Sequence, residues 1–345
     1  MTEKKDQQVS VLTSDLTIEL LSREIPEPTG RQVLIEVRSV GVCGSDIHYF
    51  TEGRIGPYIV ENDIVLGHEA SGVIVGLGPD VVNHTLGQRV AIEPGVPCGN
   101  CEMCITGKYN LCPDVEFFAT PPFDGAFSEY VVINENFAHP VPDNLSDNAA
   151  ALIEPLSVGV WACQKAGISP GQRVLIAGAG PIGIVIAMVA RERGANEIHI
   201  FDINEDRLRH AQKLGFTTSV NAPGPANLSD QFHVFFDCTG HPAAINAGFH
   251  ATRPSGTVVL VGMAADGSVP LPVDLIQGKE LWVTGTFRYA HTYPTAIELA
   301  SSGRVDLDSL VSATYQLTQA EDALTHARRH PADLKVMVKP TLESG

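Results

Sequence analysis

The stretch RVLIAGAGPIG, residues 173–183, decides the fold of this chain. Its first half, Arg173–Ala177, is a short, mainly apolar run that is typical of a buried strand. It leads directly into the pattern G-x-G-x-x-G at 178–183, and Pro181–Arg193 is predicted to form a helix. A strand, a glycine-rich turn and a helix in this order are typical of the first βαβ unit of a dinucleotide-binding domain.

Each glycine of this pattern has its own physical role. Gly178 permits the tight turn, Gly180 lets the backbone approach a pyrophosphate, and Gly183 lets the helix pack closely on the strand. The new helix presents its N-terminal amides and the positive end of its dipole to the phosphates. Glycine-rich turns also occur by chance, so the flanking strand and helix are what support a nucleotide site here.

A carboxylate marks the end of the next predicted strand, Glu197–Ile203. Asp202 stands nineteen residues after Gly183, where an acidic side chain accepts hydrogen bonds from the adenosine ribose and repels a 2′-phosphate. NAD is therefore favoured over NADP as the cofactor. Arg207 lies nearby in sequence and could face the adenosine. The alternative for Asp202 is an ordinary carboxylate in a surface turn.

Strands and helices continue to alternate after this point, which indicates an α/β domain with a parallel sheet and right-handed crossovers. The further predicted elements are a helix at Glu205–Leu214 and strands at His233–Cys238, Thr257–Val261 and Leu281–Phe287.

Residues 1–150 instead show short apolar runs between glycines and prolines, a pattern typical of β structure; the runs are Gln32–Val37, Gly72–Val75 and Arg89–Ile92. Beyond Tyr289 we predict helices at Thr295–Ser301 and Thr318–Ala327 and a strand at Leu334–Val338. This last segment is too short to fold alone, so we expect it to join the first domain. The sequence thus predicts an α/β domain, 156–289, inserted into a domain formed by 1–155 and 290–345.

Composition excludes several classes of partner. The chain has 345 residues, with 40 acidic and 23 basic side chains and a formal charge of −17, whereas nucleic acids and anionic membranes require a cationic surface. Val174–Ala190 is apolar over 17 residues, close to a spanning length of roughly 20, but a cluster of glycine and proline interrupts it. The first ten residues are polar, so we predict a soluble cytoplasmic protein.

Four of the seven cysteines are clustered with the spacing C-x2-C-x2-C-x7-C: Cys98, Cys101, Cys104 and Cys112. Four thiolates in a short loop can enclose zinc tetrahedrally with no open position, which is a structural site. An iron–sulfur cluster is the main alternative. A zinc knuckle that binds nucleic acid is disfavoured, because Lys108 is the loop's single cation.

A second set of potential metal ligands comes from separate segments. Cys43 stands in GVCGSDIH, His68 and Glu69 in GHEASG, and Glu154 in IEP. A thiolate, an imidazole and a carboxylate are the ligands of an open, catalytic zinc site. Taken singly, each is more often an ordinary structural residue, and their combination with a dinucleotide fold is what favours catalysis.

These motifs resemble those of the medium-chain zinc-dependent dehydrogenases. GHEASGVIVGLG resembles the zinc signature of that family, and the cysteine cluster resembles its structural-zinc lobe. Further segments resemble the sorbitol (polyol) dehydrogenase branch, namely CGSDIHYF (43–50), ATPPFDGAFSEY (119–130), ALIEPLSVG (151–159), AGAGPIG (177–183) and GTFRYA (285–290). The resemblance implies a β-rich GroES-like catalytic domain and a Rossmann domain.

The resemblance also implies roles for individual residues. Cys43, His68 and Glu69 would hold a catalytic zinc, and Glu154 would contact its water or the substrate and act as a ligand in some states. The four clustered cysteines would hold a second zinc, which not every member of the branch keeps. Cys163 and Cys238 match no ligand position. Tyr49, Arg288 and Tyr289 would face a polyol, and the NAD-binding residues would be Gly178, Gly180, Pro181, Ile182, Gly183, Asp202, Arg207, Val261, Gly262, Met263, Thr286, Phe287 and Arg288.

The implied reaction is the oxidation of a secondary hydroxyl of a polyol to a ketose, with hydride transfer to NAD. Glu154, through water, and Ser45 with His48 are candidates to carry the released proton. A dimer or tetramer is implied, in which the edge candidate Leu281–Phe287 could pair across subunits. The alternatives are a dehydrogenase of 2,3-butanediol or L-threonine, and a non-catalytic nucleotide-binding relative.

Overall fold

The computed structural model describes residues 5–220, 230–264 and 267–340. The chain divides into two compact units, one formed by residues 1–154 and 293–345 and the other by residues 155–292. The first unit is therefore discontinuous in sequence, and the second is inserted into it.

Within the described residues, the structure contains strands and helices in both units. The strands are β1 (Asp6–Leu12), β2 (Ile18–Glu24), β3 (Gln32–Gly41), β4 (Arg54–Ile55), β5 (Tyr58–Ile59), β6 (Ile64–Val65), β7 (Glu69–Leu77), β8 (Arg89–Ile92), β9 (Gly95–Val96), β10 (Glu116–Phe117), β11 (Tyr130–Asn134), β12 (Ala138–Pro140), β13 (Arg173–Ala177), β14 (Glu197–Asp202), β15 (Thr217–Val220), β16 (Phe232–Asp237), β17 (Thr252–Leu260), β18 (Trp282–Gly285), β19 (Val311–Gln316) and β20 (Lys335–Lys339). The helices are α1 (Gly44–Glu52), α2 (Glu102–Ile105), α3 (Asp147–Ala151), α4 (Ile153–Ala166), α5 (Pro181–Glu192), α6 (Glu205–Lys213), α7 (Pro242–Ala251), α8 (Val273–Gly278), α9 (Tyr293–Ser301) and α10 (Ala320–Arg329).

A seven-stranded sheet dominates the first unit. Its order is β12-β8-β7-β3-β20-β19, with β11 also paired to β3. The register places Gly41 of β3 opposite Glu69 of β7 on one side and opposite Met337 of β20 on the other. The buried core contains apolar side chains from the strands and from the loop before β11, among them Val33, Ile35, Ile74, Ile92 and Phe127. Three segments that are far apart in sequence thus lie side by side.

The second unit contains a six-stranded parallel sheet in the order β15-β14-β13-β16-β17-β18. This confirms the predicted α/β fold with a Rossmann sheet. Residues Val174–Ala177 of β13 are fully buried, as expected for a central strand covered on both faces. Aromatic side chains fill much of one face of the core, including Phe201, Phe235 and Phe249.

Two predicted strand boundaries in this unit differ from the observed ones by more than one residue. β17 begins at Thr252 rather than Thr257, because a register shift accommodates the turn-like segment around Ser255, whose φ is 58°. β18 ends at Gly285 rather than Phe287, and Arg288 just beyond it has a φ of 53°, which extended backbone does not allow.

The apolar stretch 174–190 is divided between β13, the glycine-rich turn and α5. Among the described residues, no helix has both the length and the apolar character needed to cross a membrane.

Candidate active site and cofactor site

Three potential zinc ligands meet at one end of the β3–β7 pair. Cys43 is the N-cap residue of α1, two residues after the end of β3. His68 directly precedes β7, and Glu69 is the first residue of that strand. Because Gly41 pairs with Glu69, the strand register brings the three side chains together, with the ligand atoms all within 4.8 Å of one another.

The chemistry of this group fits a divalent transition metal such as zinc. It offers a thiolate, an imidazole and a carboxylate, the ligand types that bind zinc in proteins. His68 and Glu69 are 7% and 1% exposed. Glu69 Oε2 is buried and has no hydrogen-bond partner among the described residues. A buried carboxylate oxygen needs a partner, and a metal ion bound there would supply one.

Asp46 orients this site, although it was not among the predicted site residues. Its carboxylate accepts hydrogen bonds from the backbone N–H of Cys43 and of Gly67, each at 2.9 Å, and its Oδ1 lies 3.5 Å from His68 Nδ1. A carboxylate on one ring nitrogen of a histidine leaves the other nitrogen for a metal. The signal was its place three residues after an N-cap, where an acidic residue closes a capping box.

Asp46 and His68 shift each other's protonation. Burial lowers the pKa of His68, but the negative charges of Asp46 and Cys43 outweigh it, so this pKa lies well above its usual value. Burial raises the pKa of Asp46, yet the neighbouring His68 and the two backbone donors lower it further, so the carboxylate is ionised. Asp46 is therefore a fixed negative charge behind the imidazole.

Lys335 is a second residue of this site that was not predicted from the sequence. It stands at the start of β20, and its Nζ lies 2.5 Å from Glu69 Oε1 and 3.1 Å from the carbonyl oxygen of Val42. Burial lowers the pKa of this lysine, but Glu69 and Cys43 raise it more, so the net shift is upward. No local motif marks it, because only the pairing of β20 with β3 brings it to the site.

The other predicted residues of the first unit lie in α1 and α4. Glu154 is 6% exposed in the first turn of α4, and its charge contributes to raising the pKa of Lys335. Its carboxylate is not part of the group whose atoms lie within 4.8 Å. Tyr49 is buried, Ser45 is partly buried, and His48 is exposed, with its Nδ1 3.2 Å from Glu52 Oε1. The joint roles of these residues stay predictions.

The four clustered cysteines form a second group of sulfur atoms within 4.8 Å of one another. Cys101 and Cys104 Sγ are 3.4 Å apart, and Cys98 and Cys112 Sγ are 3.5 Å apart. Hydrogen bonds from backbone N–H groups lower the pKa of the Cys98 thiol to about 7, which favours its thiolate form. A compact set of four sulfurs fits a closed tetrahedral zinc site.

The glycine-rich turn of the second unit has the backbone geometry that a pyrophosphate site requires. Gly178 has a φ of 99°, and a β-carbon on Gly183 would overlap the carbonyl oxygen of Gly178. Gly180 is the N-cap of α5 and Pro181 its first residue, while Ile182 follows, partly exposed. The N-terminus of α5 therefore packs closely on the glycine-rich segment, and the backbone N–H groups of the first helical turn can bind an anion there.

Asp202 lies at the carboxyl end of β14, beside this turn. Its Oδ2 accepts a hydrogen bond of 2.6 Å from the backbone N–H of Ala179, and its Oδ1 accepts one of 2.8 Å from that of Asn204. Each carboxylate oxygen has a second lone pair, so ribose hydroxyls can still bind. A β-carbon on Gly180 would lie 3.7 Å from Arg207 Nη1, which places this guanidinium at the same turn.

Asp237 accepts hydrogen bonds from two loops, one after β16 and one after β17, and the second contains further predicted NAD contacts. It is fully buried at the end of β16, and its carboxylate accepts hydrogen bonds from Thr239 and Gly240. Its carbonyl oxygen accepts from the N–H groups of Val261 and Gly262, both at 2.9 Å. Burial raises the pKa of Asp237, and the hydrogen bonds offset part of that rise. From sequence, this segment is predicted only as a strand.

The remaining predicted contacts follow the ends of β17 and β18. Met263 is 61% exposed and Phe287 is 49% exposed. The Arg288 guanidinium carbon lies 4.9 Å from the centre of the Phe287 ring, while Tyr289 is buried. In a parallel sheet, ligands bind outside the carboxyl ends of the strands, and Thr286 also stands at this edge.

Two family models match the chain. Residues 29–143 match an alcohol dehydrogenase GroES-like domain, and residues 181–302 match a zinc-binding dehydrogenase domain. With the two thiolate-containing ligand groups, they define a zinc-binding dehydrogenase built from a GroES-like and a Rossmann domain.

The sorbitol dehydrogenase of Bacillus subtilis strain 168 is 40% identical to the chain, over 98% of the chain and 99% of that protein. The chain belongs to the medium-chain zinc-binding dehydrogenase family, in the branch of the sorbitol dehydrogenases.

Solved structures agree with this assignment. L-Idonate 5-dehydrogenase from Escherichia coli K-12 is 31% identical, with a TM-score of 0.91, over 98% of the chain and 99% of that protein. A zinc-binding dehydrogenase of Sinorhizobium meliloti 1021, solved with NADP bound, is 28% identical, with a TM-score of 0.90, over 98% of the chain and 100% of that protein.

Proposed function

We propose that this protein oxidises a secondary hydroxyl of a polyol to a ketose, using zinc and NAD. The observation that carries the proposal is the group of partly buried Cys43 and buried His68 and Glu69, whose ligand atoms lie within 4.8 Å of one another. The similarity to a sorbitol dehydrogenase over nearly the whole chain supports the substrate class.

The reaction removes a hydride from the carbinol carbon and a proton from its hydroxyl. When bound, zinc supplies Lewis-acid chemistry that lowers the pKa of the alcohol. Cys43, His68 and Glu69 would hold the ion, with Asp46 fixing the imidazole 3.5 Å away. Glu154 would accept the proton through water, and Ser45 and His48 would pass it to the exposed face of α1. NAD, when bound at the glycine-rich turn, would supply the acceptor for the hydride.

The substrate contacts are proposed for side chains with long polar ends. Tyr49, Arg288 and Tyr289 can each hydrogen-bond hydroxyl groups, and several such contacts suit a polyol better than an aliphatic alcohol.

NAD is proposed in preference to NADP because Asp202 is a carboxylate fixed beside the glycine-rich turn. Its two backbone hydrogen bonds, of 2.6 and 2.8 Å, hold a negative charge where a 2′-phosphate would have to bind.

A substrate panel tests the proposal directly. The purified protein is mixed with NAD and, in turn, sorbitol, xylitol, iditol, arabinitol, 2,3-butanediol or L-threonine, and NADH is followed by absorbance. We expect kcat/KM to be higher for the polyols than for 2,3-butanediol and L-threonine. Preferential oxidation of butanediol or threonine would contradict the substrate class, and no turnover of any would contradict an enzymatic role.

Metal analysis accompanies the panel. About two zinc ions per chain are expected, one for each group of ligands. Iron with labile sulfide in place of the second zinc would contradict the structural-zinc assignment.

A homo-oligomer, dimer or tetramer, is proposed with β18 as its pairing edge. β18 is the last strand of its sheet, and Trp282 on it is 75% exposed; exposed edges are templates for strand pairing. Trp282→Asp should lower the mass measured by light scattering, and an unchanged mass would exclude this edge.

A cytoplasmic location is proposed because the four clustered thiols must stay reduced to bind zinc.

A further inference from the structure

Lys335 is a buried cation at the candidate zinc site, and the reaction proposed above does not use it. Its Nζ lies 2.5 Å from Glu69 Oε1 and 3.1 Å from the carbonyl oxygen of Val42. Lys335 is 4% exposed and Glu69 is 1% exposed, so protein groups replace water around both charges. Buried charges persist when they are paired and hydrogen-bonded, and these contacts satisfy that condition.

The strand register fixes this pair. β20 lies beside β3, and β3 lies beside β7, so the ammonium reaches the carboxylate past the end of β3. The two oxygens of Glu69 consequently have different surroundings. Oε1 contacts the ammonium, while Oε2 is buried with no hydrogen-bond partner in the described part of the chain. Oε2 is the oxygen that is left for a metal.

We propose that Lys335 is a positioning residue of the zinc site, which holds Oε1 of Glu69 so that this residue binds the metal through Oε2 alone. One oxygen from Glu69, one sulfur and one imidazole nitrogen make three protein ligands and leave the fourth position open for an alcohol. A Glu69 that bound through both oxygens would occupy that position. The proposal rests on the proposed function only in requiring zinc at this site.

Zinc release tests this role without substrate or nicotinamide. The two-zinc protein is treated with excess chelator, and released zinc is followed with a colorimetric indicator. Zinc release from the two sites should give two kinetic phases. The phase that is absent in Cys43→Ser is assigned to the site of Cys43, His68 and Glu69. Lys335→Met is expected to accelerate that phase about 10- to 100-fold, with the phase from the four cysteines unchanged. Release at the wild-type rate would overturn the proposal.

A double variant separates positioning from general structure. If Lys335 acts through Glu69, the variant with both Lys335→Met and Glu69→Gln should release zinc at the rate of Glu69→Gln alone. If the double variant instead releases zinc faster than the wild type by the product of the two single-variant accelerations, the proposal is overturned. Lys279→Met is the matched control, because Lys279 is a lysine of the second unit that donates to three carbonyl groups. It should lower Tm and leave zinc release unchanged.

Lys335→Gln is the second variant, to be used if Lys335→Met does not fold. It keeps a hydrogen-bond donor but not the charge, and zinc release at least about threefold faster than in the wild type is expected. A folded Lys335→Gln protein that releases zinc at the wild-type rate would overturn the proposal. Because the readout is zinc release, a protein that oxidises no polyol but shows these effects would reject the proposed function and retain this inference.

Discussion

Gly41 lies opposite Glu69 in the β3–β7 pair, and a β-carbon on Gly41 would overlap Glu69 Oε2. The backbone at position 41 does not adopt a left-handed conformation. The requirement for glycine there is therefore one of space, since the carboxylate occupies the volume that a side chain would need.

Gly41→Ala should displace the Glu69 carboxylate and disturb its ion pair with Lys335. Such overpacking destabilises by about 1–3 kcal/mol, which denaturant unfolding would measure. Metal analysis should show a loss of zinc from this site. Gly278→Ala is the control, because a β-carbon there meets nothing within 4 Å. Full zinc content in Gly41→Ala would mean that the carboxylate can move and still bind.

Glu154→Gln should lower kcat by about 100-fold or more, because positioned proton acceptors contribute roughly 10²–10⁴ to rates. Glu154 is buried at the start of α4 in the first unit, outside the nucleotide-binding turn. NADH affinity, measured by fluorescence titration, should remain nearly unchanged. Wild-type turnover in this variant would remove Glu154 from the chemistry.

Asp202→Asn should raise kcat/KM for NADP relative to NAD by roughly tenfold, since the variant removes a negative charge that repels the 2′-phosphate. The amide oxygen can still accept one of the two backbone hydrogen bonds, so the turn should be retained. Asp202→Ala should weaken NAD use further, because it also removes the acceptors for Ala179 and Asn204. An unaltered cofactor ratio in both variants would contradict the ribose assignment.

Glu135 should make folding stability fall in acid. Burial raises the pKa of Glu135, but hydrogen bonds from Asn83 and Val82 and the charge of Arg31 outweigh it, so its pKa lies below the ordinary value of 4.5. A depressed pKa in the folded state adds stability above the unfolded pKa. That stability is lost as pH falls through the folded-state pKa.

When the pH is lowered from 6 to below the folded-state pKa of Glu135, the free energy of unfolding should therefore decrease less in Glu135→Gln than in the wild type. Denaturant titration at each pH measures this decrease. Glu298→Gln is the control, because the Glu298 carboxylate is 74% exposed in its pair with Arg304. An identical pH dependence in Glu135→Gln and the wild type would show that Glu135 titrates alike in both states.

Spacing along the chain predicted the sites whose residues are close in sequence. The four cysteines and the glycine-rich turn each lie within about fifteen residues, so local geometry alone limits what they can form. Cys43 and His68 each stand in a motif of their own, which is why they were predicted as ligands; the structure brings them together with Glu69, and their ligand roles stay predictions.

Lys335, Asp46 and Asp237 were missed for a different reason. Lys335 reaches Glu69 only through strand pairing across 266 positions. Asp46 and Asp237 also accept hydrogen bonds from backbone N–H groups two or three residues away, but their further contacts depend on the fold. Neither periodicity nor propensity records such a contact. The early end of β18 was missed as well, because the predicted strand is rich in β-branched and aromatic residues through Phe287, while the observed strand ends at Gly285 and the backbone turns at Arg288.

The late position of Lys335 has a consequence for synthesis on the ribosome. A growing chain contains Glu69 and the whole inserted unit before the lysine is made, because 266 positions separate the two. Until then, closing the first sheet over Glu69 would bury a carboxylate without its cation, at a cost of about 3–5 kcal/mol. Polypeptides truncated before residue 335 should thus remain open at this edge, and proteases could distinguish them from finished molecules.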